Sequence, residues 1–96
     1  MGARGPGNSV RSRLASSTSS AKVLDANSGR HGALFANDDA NVCKLHFGPG
    51  PATATDYSVL IPANGTYTLL PGQWAGPVYA IWGTAGSGGL STTELT

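Results

Sequence analysis

Turn-forming residues constrain the fold of this chain more than any other feature of its sequence. The 96 residues include 14 glycines and 6 prolines, and clusters of Ser, Thr, Asn and Asp lie among them. No long segment keeps an apolar period near 3.6 residues, so the pattern does not predict a sustained helix. Short runs of β-branched and aromatic residues between turn clusters indicate strands instead.

Seven such runs predict strands, over residues 17–24, 32–36, 42–47, 57–61, 66–70, 78–82 and 90–95. Short strands joined by turn-forming segments are typical of antiparallel sandwiches and small barrels. We therefore predict an all-β fold, a small antiparallel β-sandwich that is jelly-roll-like, with a flexible N-terminal arm.

Alternation along the strands predicts which side chains face the core. In "VCKLHF" we expect Cys43, Leu45 and Phe47 to point inward, because Lys44 and His46 on the other face can reach water. The run "GALFA" leaves the choice between Leu34 and Phe35 open, and "VYAIW" does not decide between its two faces. Such continuous apolarity predicts strands covered on both sides.

Charge divides the chain into two parts. Four basic residues and no acid lie in residues 1–24, namely Arg4, Arg11, Arg13 and Lys22. Two basic residues and five acids lie in residues 25–96, so +4 and −3 make up the net +1. The first segment has few large apolar residues to offset its ordering entropy. We therefore predict an extended basic, Ser-rich arm over residues 1–20 and a sandwich domain over residues 21–96.

The ionisable side chains do not form a recognised catalytic or metal-binding pattern. Asp38 and Asp39 are adjacent, so in an extended segment they point to opposite sides, and a turn in "NDDA" explains them. His31 and His46 lack metal-ligand spacing with Cys43, the single cysteine, which also has no disulfide partner in the chain. We therefore predict a non-enzymatic protein without a cofactor or metal.

Two loop features have alternative explanations. The sequence "NGT" at residues 64–66 matches a glycosylation acceptor, but a turn with Gly65 at positive φ explains it better. Trp74 lies in "PGQWAGP" between two prolines, either as a lid over the end of the sandwich or as a contact with a partner.

Several short motifs resemble small β-sandwich virion proteins of tailed bacteriophages. They are "RHG" at residues 30–32, "ND" at residues 37–38, "IPANGTYTLL", "GPVYAIW" with the Gly-rich loop after it, and "TEL" near the end. The resemblance implies a capsid decoration, or cement, protein that binds the outside of a phage head and bridges coat subunits. It also implies a place on the virion surface after assembly in the host cytoplasm.

A partner-binding role is therefore expected for Arg4, Arg11, Arg13 and Trp74, with the major capsid protein as partner. A domain of this size buries only about 60% of its unfolded-chain surface, so we expect a homotrimer, or else a dimer, to add stability. No apolar run approaches the length of a membrane span, and the arm lacks aromatic residues that would stack on nucleic-acid bases. The alternative is a tail, fibre or host-recognition module, in which Tyr57, Tyr67 and Trp74 could stack on sugars, although we expect both tyrosines to point inward.

Overall fold

The computed structural model describes residues 7–53 and 55–96. The regular secondary structure of these residues consists of β-strands, without a helix. The eight strands are β1 (Ser9–Ala15), β2 (Ala21–Leu24), β3 (Gly32–Asn37), β4 (Cys43–Phe47), β5 (Val59–Ile61), β6 (Thr66–Leu69), β7 (Val78–Trp82) and β8 (Gly89–Leu95). None of these strands has more than seven residues, as the dense turn signals require. Within the described ranges there is no helix long and apolar enough to cross a membrane.

The strands form two antiparallel sheets of four strands each. Sheet A has the order β1-β8-β3-β6, and sheet B has the order β2-β7-β4-β5. Strand β1 pairs with β8, β2 with β7, β3 with β6 and β4 with β5, so the chain folds as one long hairpin rolled over itself. This pairing is that of an eight-stranded jelly roll, which confirms the predicted fold class.

The core lies between the two sheets and resolves the faces that alternation left open. Cys43 and Leu45 are fully buried, and Phe47 packs against the same cluster, as predicted. Phe35 is inside, whereas Leu34 lies on the outer face of sheet A. Buried residues from both sheets make up the rest of the cluster, including Ala33, Leu69, Val78, Ala80, Trp82 and Leu90.

The structure corrects the predicted arm. Residues 9–15, expected to be flexible, form β1 and pair in continuous register with β8. Composition argued against order because this segment has few large apolar residues, and in the structure only Leu14 of β1 packs against the core. An edge strand, however, is held mainly by its backbone hydrogen bonds to its neighbour, so it needs few apolar side chains. Residues 1–6 lie outside the described residues.

Three further predictions were wrong in detail. The run predicted over residues 17–24 contains only the four-residue β2, and the strand predicted from residue 57 begins at Val59. In the 64–66 turn the positive φ of 58° belongs to Asn64 and not to Gly65. Asn tolerates the left-handed region better than most residues with a Cβ, because its short polar side chain can hydrogen-bond locally.

Buried polar side chains join the loops at each end of the sandwich. At one end, the buried Asn37 amide donates to carbonyls of Asn41, Ile61 and Pro62 at 2.9–3.2 Å and accepts from the Trp82 indole. At the other end, Arg30 binds carbonyl oxygens of three loop residues, Asp25, Trp74 and Gly76. These contacts hold the connections between strands in a fixed arrangement.

Candidate functional site

The outer face of sheet A is lined by hydroxyl side chains around one exposed leucine. Leu34 is 46% exposed and lies between Thr68 of β6 and Thr93 of β8. Its neighbour on the same face, Ala36, lies between Thr66 and Ser91. Together these side chains border an open depression of about 390 Å³. The hydroxyl groups can donate and accept hydrogen bonds, while Leu34 can bury apolar area against a partner.

Two arginines border this face along β1. Arg11 lies opposite Thr93, and Arg13 lies opposite Ser91, so both side chains share the outer face with the hydroxyl groups. Both arginines are exposed. Among the described residues, Arg11 takes part in none of the ion pairs. The structure thus places two of the predicted partner-binding residues beside one another, while Arg4 lies outside the described residues.

Arg13 also anchors β1 to the loop after β3. Its guanidinium donates to both carboxylate oxygens of Asp38, at 2.7 and 2.9 Å, and to the Ser91 hydroxyl at 3.2 Å. Asp38 accepts a further bond from the Gly89 amide. The hydrogen bond from Arg13, followed by that from Gly89, lowers the pKa of Asp38, so this carboxylate stays ionised at neutral pH. Strand β1 is therefore fixed at its Arg13 end.

Trp74 lies at the end of the sandwich and is half-buried. Its ring packs against the core and against Gly76, where a Cβ would collide with the indole. The indole N–H donates to the Pro77 carbonyl at 2.9 Å. Of the two explanations given by the sequence, this geometry matches a lid over the end of the sandwich. A contact between Trp74 and a partner stays a prediction.

The aromatic residues considered for sugar stacking do not share a surface. Tyr67 packs inside the sandwich between Phe35 and Phe47, with ring centroids 6.3 and 6.1 Å away. Tyr57 was expected to point inward but is exposed, and the Lys44 ammonium lies 4.7 Å from its ring centroid. Because Tyr67 packs inside the sandwich whereas Tyr57 is exposed, these rings do not form one stacking platform.

The candidate chemical groups are dispersed in the same way. Nowhere in residues 7–53 or 55–96 do three or more His, Cys, Asp or Glu side chains come together to hold a metal ion. Burial, with a smaller effect of the nearby Asp39 charge, raises the pKa of the Cys43 thiol to about 12. A thiol with this pKa is protonated at neutral pH and therefore a poor nucleophile or metal ligand.

Asp39 has a structural role that the sequence did not reveal. Its carboxylate is buried and accepts hydrogen bonds from the amides of Gly88 and Asn41 and from the Asn41 side chain, at 2.8–3.0 Å. Burial disfavours the charged form, but these hydrogen bonds outweigh it and lower the pKa of Asp39. Asp38 and Asp39 diverge as predicted, with Asp38 on the surface and Asp39 inside.

The exposed surface therefore offers one coherent candidate site, the outer face of sheet A with its arginine border on β1. The sequence singled out Arg11 and Arg13 but not Leu34 or the hydroxyl groups. No local signal in "TYTLL" or "STTEL" shows that these strands become neighbours of the strand that carries Leu34. Comparison with protein-family models finds no match, and comparisons with curated proteins and with solved structures find none either.

Proposed function

We propose that this protein is a structural virion component, a decoration protein that binds the outer surface of a bacteriophage head and stabilises contacts between coat subunits. The observation that carries the proposal is the outer face of sheet A, where Leu34 lies among hydroxyl groups with Arg11 and Arg13 at one border. The fold by itself does not decide, since jelly rolls occur in viral capsid and lectin domains alike.

A decoration protein needs a stiff unit with a contact surface, and the contacts described above supply both. The polar networks around Asn37 and Arg30 hold the loops at opposite ends of the sandwich. A contact surface built on strands is more precisely positioned than one built on loops. Repetition around a symmetric shell multiplies the effect of each contact, so a modest single interface gives large total stability. The partner in this proposal is the major capsid protein, and the bound form is a homotrimer or, second, a dimer.

The experiment mixes the purified protein with phage heads that lack it and measures bound copies per coat subunit after sedimentation. We expect saturation at a fixed ratio that corresponds to hundreds of copies per head. Leu34→Asp places a charge in the middle of the outer face of sheet A and should weaken binding about tenfold or more, because an unpaired charge would be buried. Leu60→Asp is the matched control, since Leu60 is 47% exposed on the outer face of the other sheet.

The results separate this proposal from its alternative. A few to a few dozen copies per particle, located at the tail, would identify a tail or fibre part instead. Binding to a glycan array would favour a host-recognition module. Equal loss of head binding in Leu34→Asp and Leu60→Asp would contradict the assignment to sheet A, and no binding to any head would refute the function itself.

A further inference from the structure

The two sheets present four edge strands, and three of them are poor templates for another strand. Strand β5 has three residues and is followed by Pro62, and β6 has four residues with Pro71 shortly after it. The four-residue β2 contains a register shift between Lys22 and Leu24. Short length, proline and bulges are among the ways in which proteins protect sheet edges.

Strand β1 has none of these protections along its length. It runs for seven residues without a proline, and its register with β8 is continuous from Ser9 to Ala15. Six of its seven residues are exposed. It is the longest of the four edges and the one whose geometry suits pairing with an additional strand.

The hydrogen-bond pattern shows which backbone groups face outward. Asn8 and Thr96 exchange both of their backbone hydrogen bonds, and the Ser16 amide donates to Gly88. Bonding alternates along an antiparallel pair, so even-numbered residues of β1 direct their N–H and C=O groups to β8. The odd-numbered residues direct theirs away from the sheet: Ser9, Arg11, Arg13 and Ala15. These outward groups can pair with an added strand.

The side chains along this edge select the charge of the added strand. Arg11 and Arg13 lie two residues apart on the same face, so both would stand directly opposite side chains of the incoming strand. A second copy of β1 in antiparallel register would bring arginine opposite arginine, which is destabilising. A carboxylate would instead form a cross-strand pair with Arg11, and a second carboxylate two positions away would lie opposite Arg13, whose guanidinium also binds Asp38. The positive charge of Arg11 would also speed the encounter.

We propose that the outer edge of β1 binds an extended, acidic segment of a partner protein, which adds a fifth strand to sheet A. The acidic residues of that segment alternate along the strand and face Arg11 and Arg13. This inference deepens the proposed function, and it rests on that function only in taking the partner to be a protein of the same particle. Recognition combines backbone hydrogen bonds, which provide affinity, with charge pairing, which provides specificity.

The test uses the full-length, isotope-labelled protein and a nine-residue peptide in which Thr and Glu alternate. Residue-resolved amide hydrogen exchange is measured with and without the peptide. We expect new protection at the amides of Ser9, Arg11, Arg13 and Ala15, with no change at Val10, Ser12 and Leu14, which already face β8. Two control peptides, one with Lys in place of Glu and one with N-methylated Glu, should give no protection, because they remove the charge pairing and the backbone donors respectively.

A variant tests the charge selection separately. Arg11→Glu should weaken binding of the Glu peptide about three- to tenfold, since an attractive cross-strand pair becomes a repulsive one. The same variant should bind the Lys peptide more tightly than the unchanged protein does. Arg11 is exposed and outside the described ion pairs, so the variant should fold, and the exchange measurement on the unchanged protein stands independently of it.

Three results would overturn the inference. The first is that the Glu peptide gives no protection at the outward amides. The second is that protection there grows with protein concentration without any peptide. The third is that a single-stranded oligonucleotide protects the amide of Arg11 while the Glu peptide does not. The second would identify another copy of this chain as the occupant, and the third a nucleic acid. Binding to phage heads without protection of these amides would reject the β1 edge as the binding site but keep the proposed function. Binding of the peptide without binding to heads would keep the β1 edge as a binding site but reject the proposed function.

Discussion

Arg30 is the residue whose environment differs most from what its type suggests. Its side chain is 1% exposed, and its Nε atom lies 2.7 Å from a carboxylate oxygen of Glu94. The remaining guanidinium N–H groups bind the carbonyls of Asp25, Trp74 and Gly76. One side chain therefore joins β8 to the loops after β2 and β6. Arginine suits this position because its planar group presents several donors in a fixed geometry.

Arg30→Ala should lower the free energy of unfolding by about 3–5 kcal/mol, because Glu94 and three carbonyl groups lose their partner in a buried environment. Thermal unfolding followed by circular dichroism would show the change as a lower melting temperature. Arg11→Ala serves as the control and should shift stability by no more than about 0.5 kcal/mol, since its side chain is exposed. Equal melting temperatures for the two variants would contradict a structural role for Arg30.

The lowered pKa of Asp39 predicts how the stability of the protein depends on pH. Its pKa is lowered in the folded state, so near pH 4 the unfolded state binds more protons and stability is lost as the pH falls. The loss should begin below about pH 5 and continue through the lowered folded-state pKa. Denaturant unfolding at a series of pH values would measure it.

The matching variant is Asp39→Asn, which cannot ionise and places amide donors where the carboxylate accepted hydrogen bonds. It should be less stable than the unchanged protein above about pH 5, with the difference shrinking toward pH 3. Asp56→Asn, in an exposed loop, is the control and should follow the unchanged protein. A constant difference at every pH would show that ionisation of Asp39 does not contribute.

At the scale of elements, the pairing of β1 with β8 depends on a close approach at Gly89. This glycine lies opposite Ala15, and a Cβ there would collide with the backbone carbonyl of Leu14. The Arg13–Asp38 pair and the Gly89 amide secure the same end of the strand. Strand β1 is thus positioned by the close approach that Gly89 permits and by the Arg13–Asp38 ion pair, more than by burial of apolar side chains.

Gly89→Ala should displace β1 from sheet A while the rest of the sandwich stays folded. Amide hydrogen exchange should then accelerate at Leu90, Thr92 and Glu94, whose N–H groups face β1 by the alternation described above. The amides of Ser91 and Thr93 face β3 and should stay protected. Gly83→Ala is the matched control, because nothing lies within 4 Å of the Cβ position there. Unchanged exchange in Gly89→Ala would show that β1 adapts to the added methyl group.

At the scale of the whole molecule, the rolled hairpin makes the last strand essential and the first strand peripheral. Strand β8 lies between β1 and β3, and it supplies the buried Leu90 and Thr92. Strand β1 lies at the border of the same sheet and is mostly exposed. The two ends of the chain therefore contribute very differently to stability, although their strands are of equal length.

Deletion of residues 89–96 should abolish the cooperative thermal transition, because sheet A would lose its internal strand and Arg30 its carboxylate partner. Deletion of residues 1–15 should preserve the transition, since it removes only the mostly exposed edge strand β1. Circular dichroism melting of both truncated chains measures the contrast. A cooperative transition after the loss of β8 would mean that the remaining strands form a different sheet.

The sequence predicted the fold class and most strands because those properties follow from local chemistry. Turn residues limited strand length, and alternation in "VCKLHF" identified the inward face correctly, because side chains on a strand point to opposite sides in turn. It also identified Arg11 and Arg13 as surface residues, although it assigned them to a flexible arm. The local pattern did not predict the buried face of a strand when both faces are apolar, because the packing of neighbouring strands decides it. The choice between Leu34 and Phe35 is an example.

The sequence by itself determined that the chain forms short strands, that it can fold as a sandwich, and that its first part is basic. The tertiary structure alone decided that residues 9–15 become an edge strand, that Arg30 and Asp39 are buried, and that Leu34 joins hydroxyl groups from β6 and β8 on one face. The physical reason is that strand pairing here connects residues far apart in the chain, such as Ser9 and Leu95. Backbone hydrogen bonds between such distant segments leave no periodic trace in the side chains.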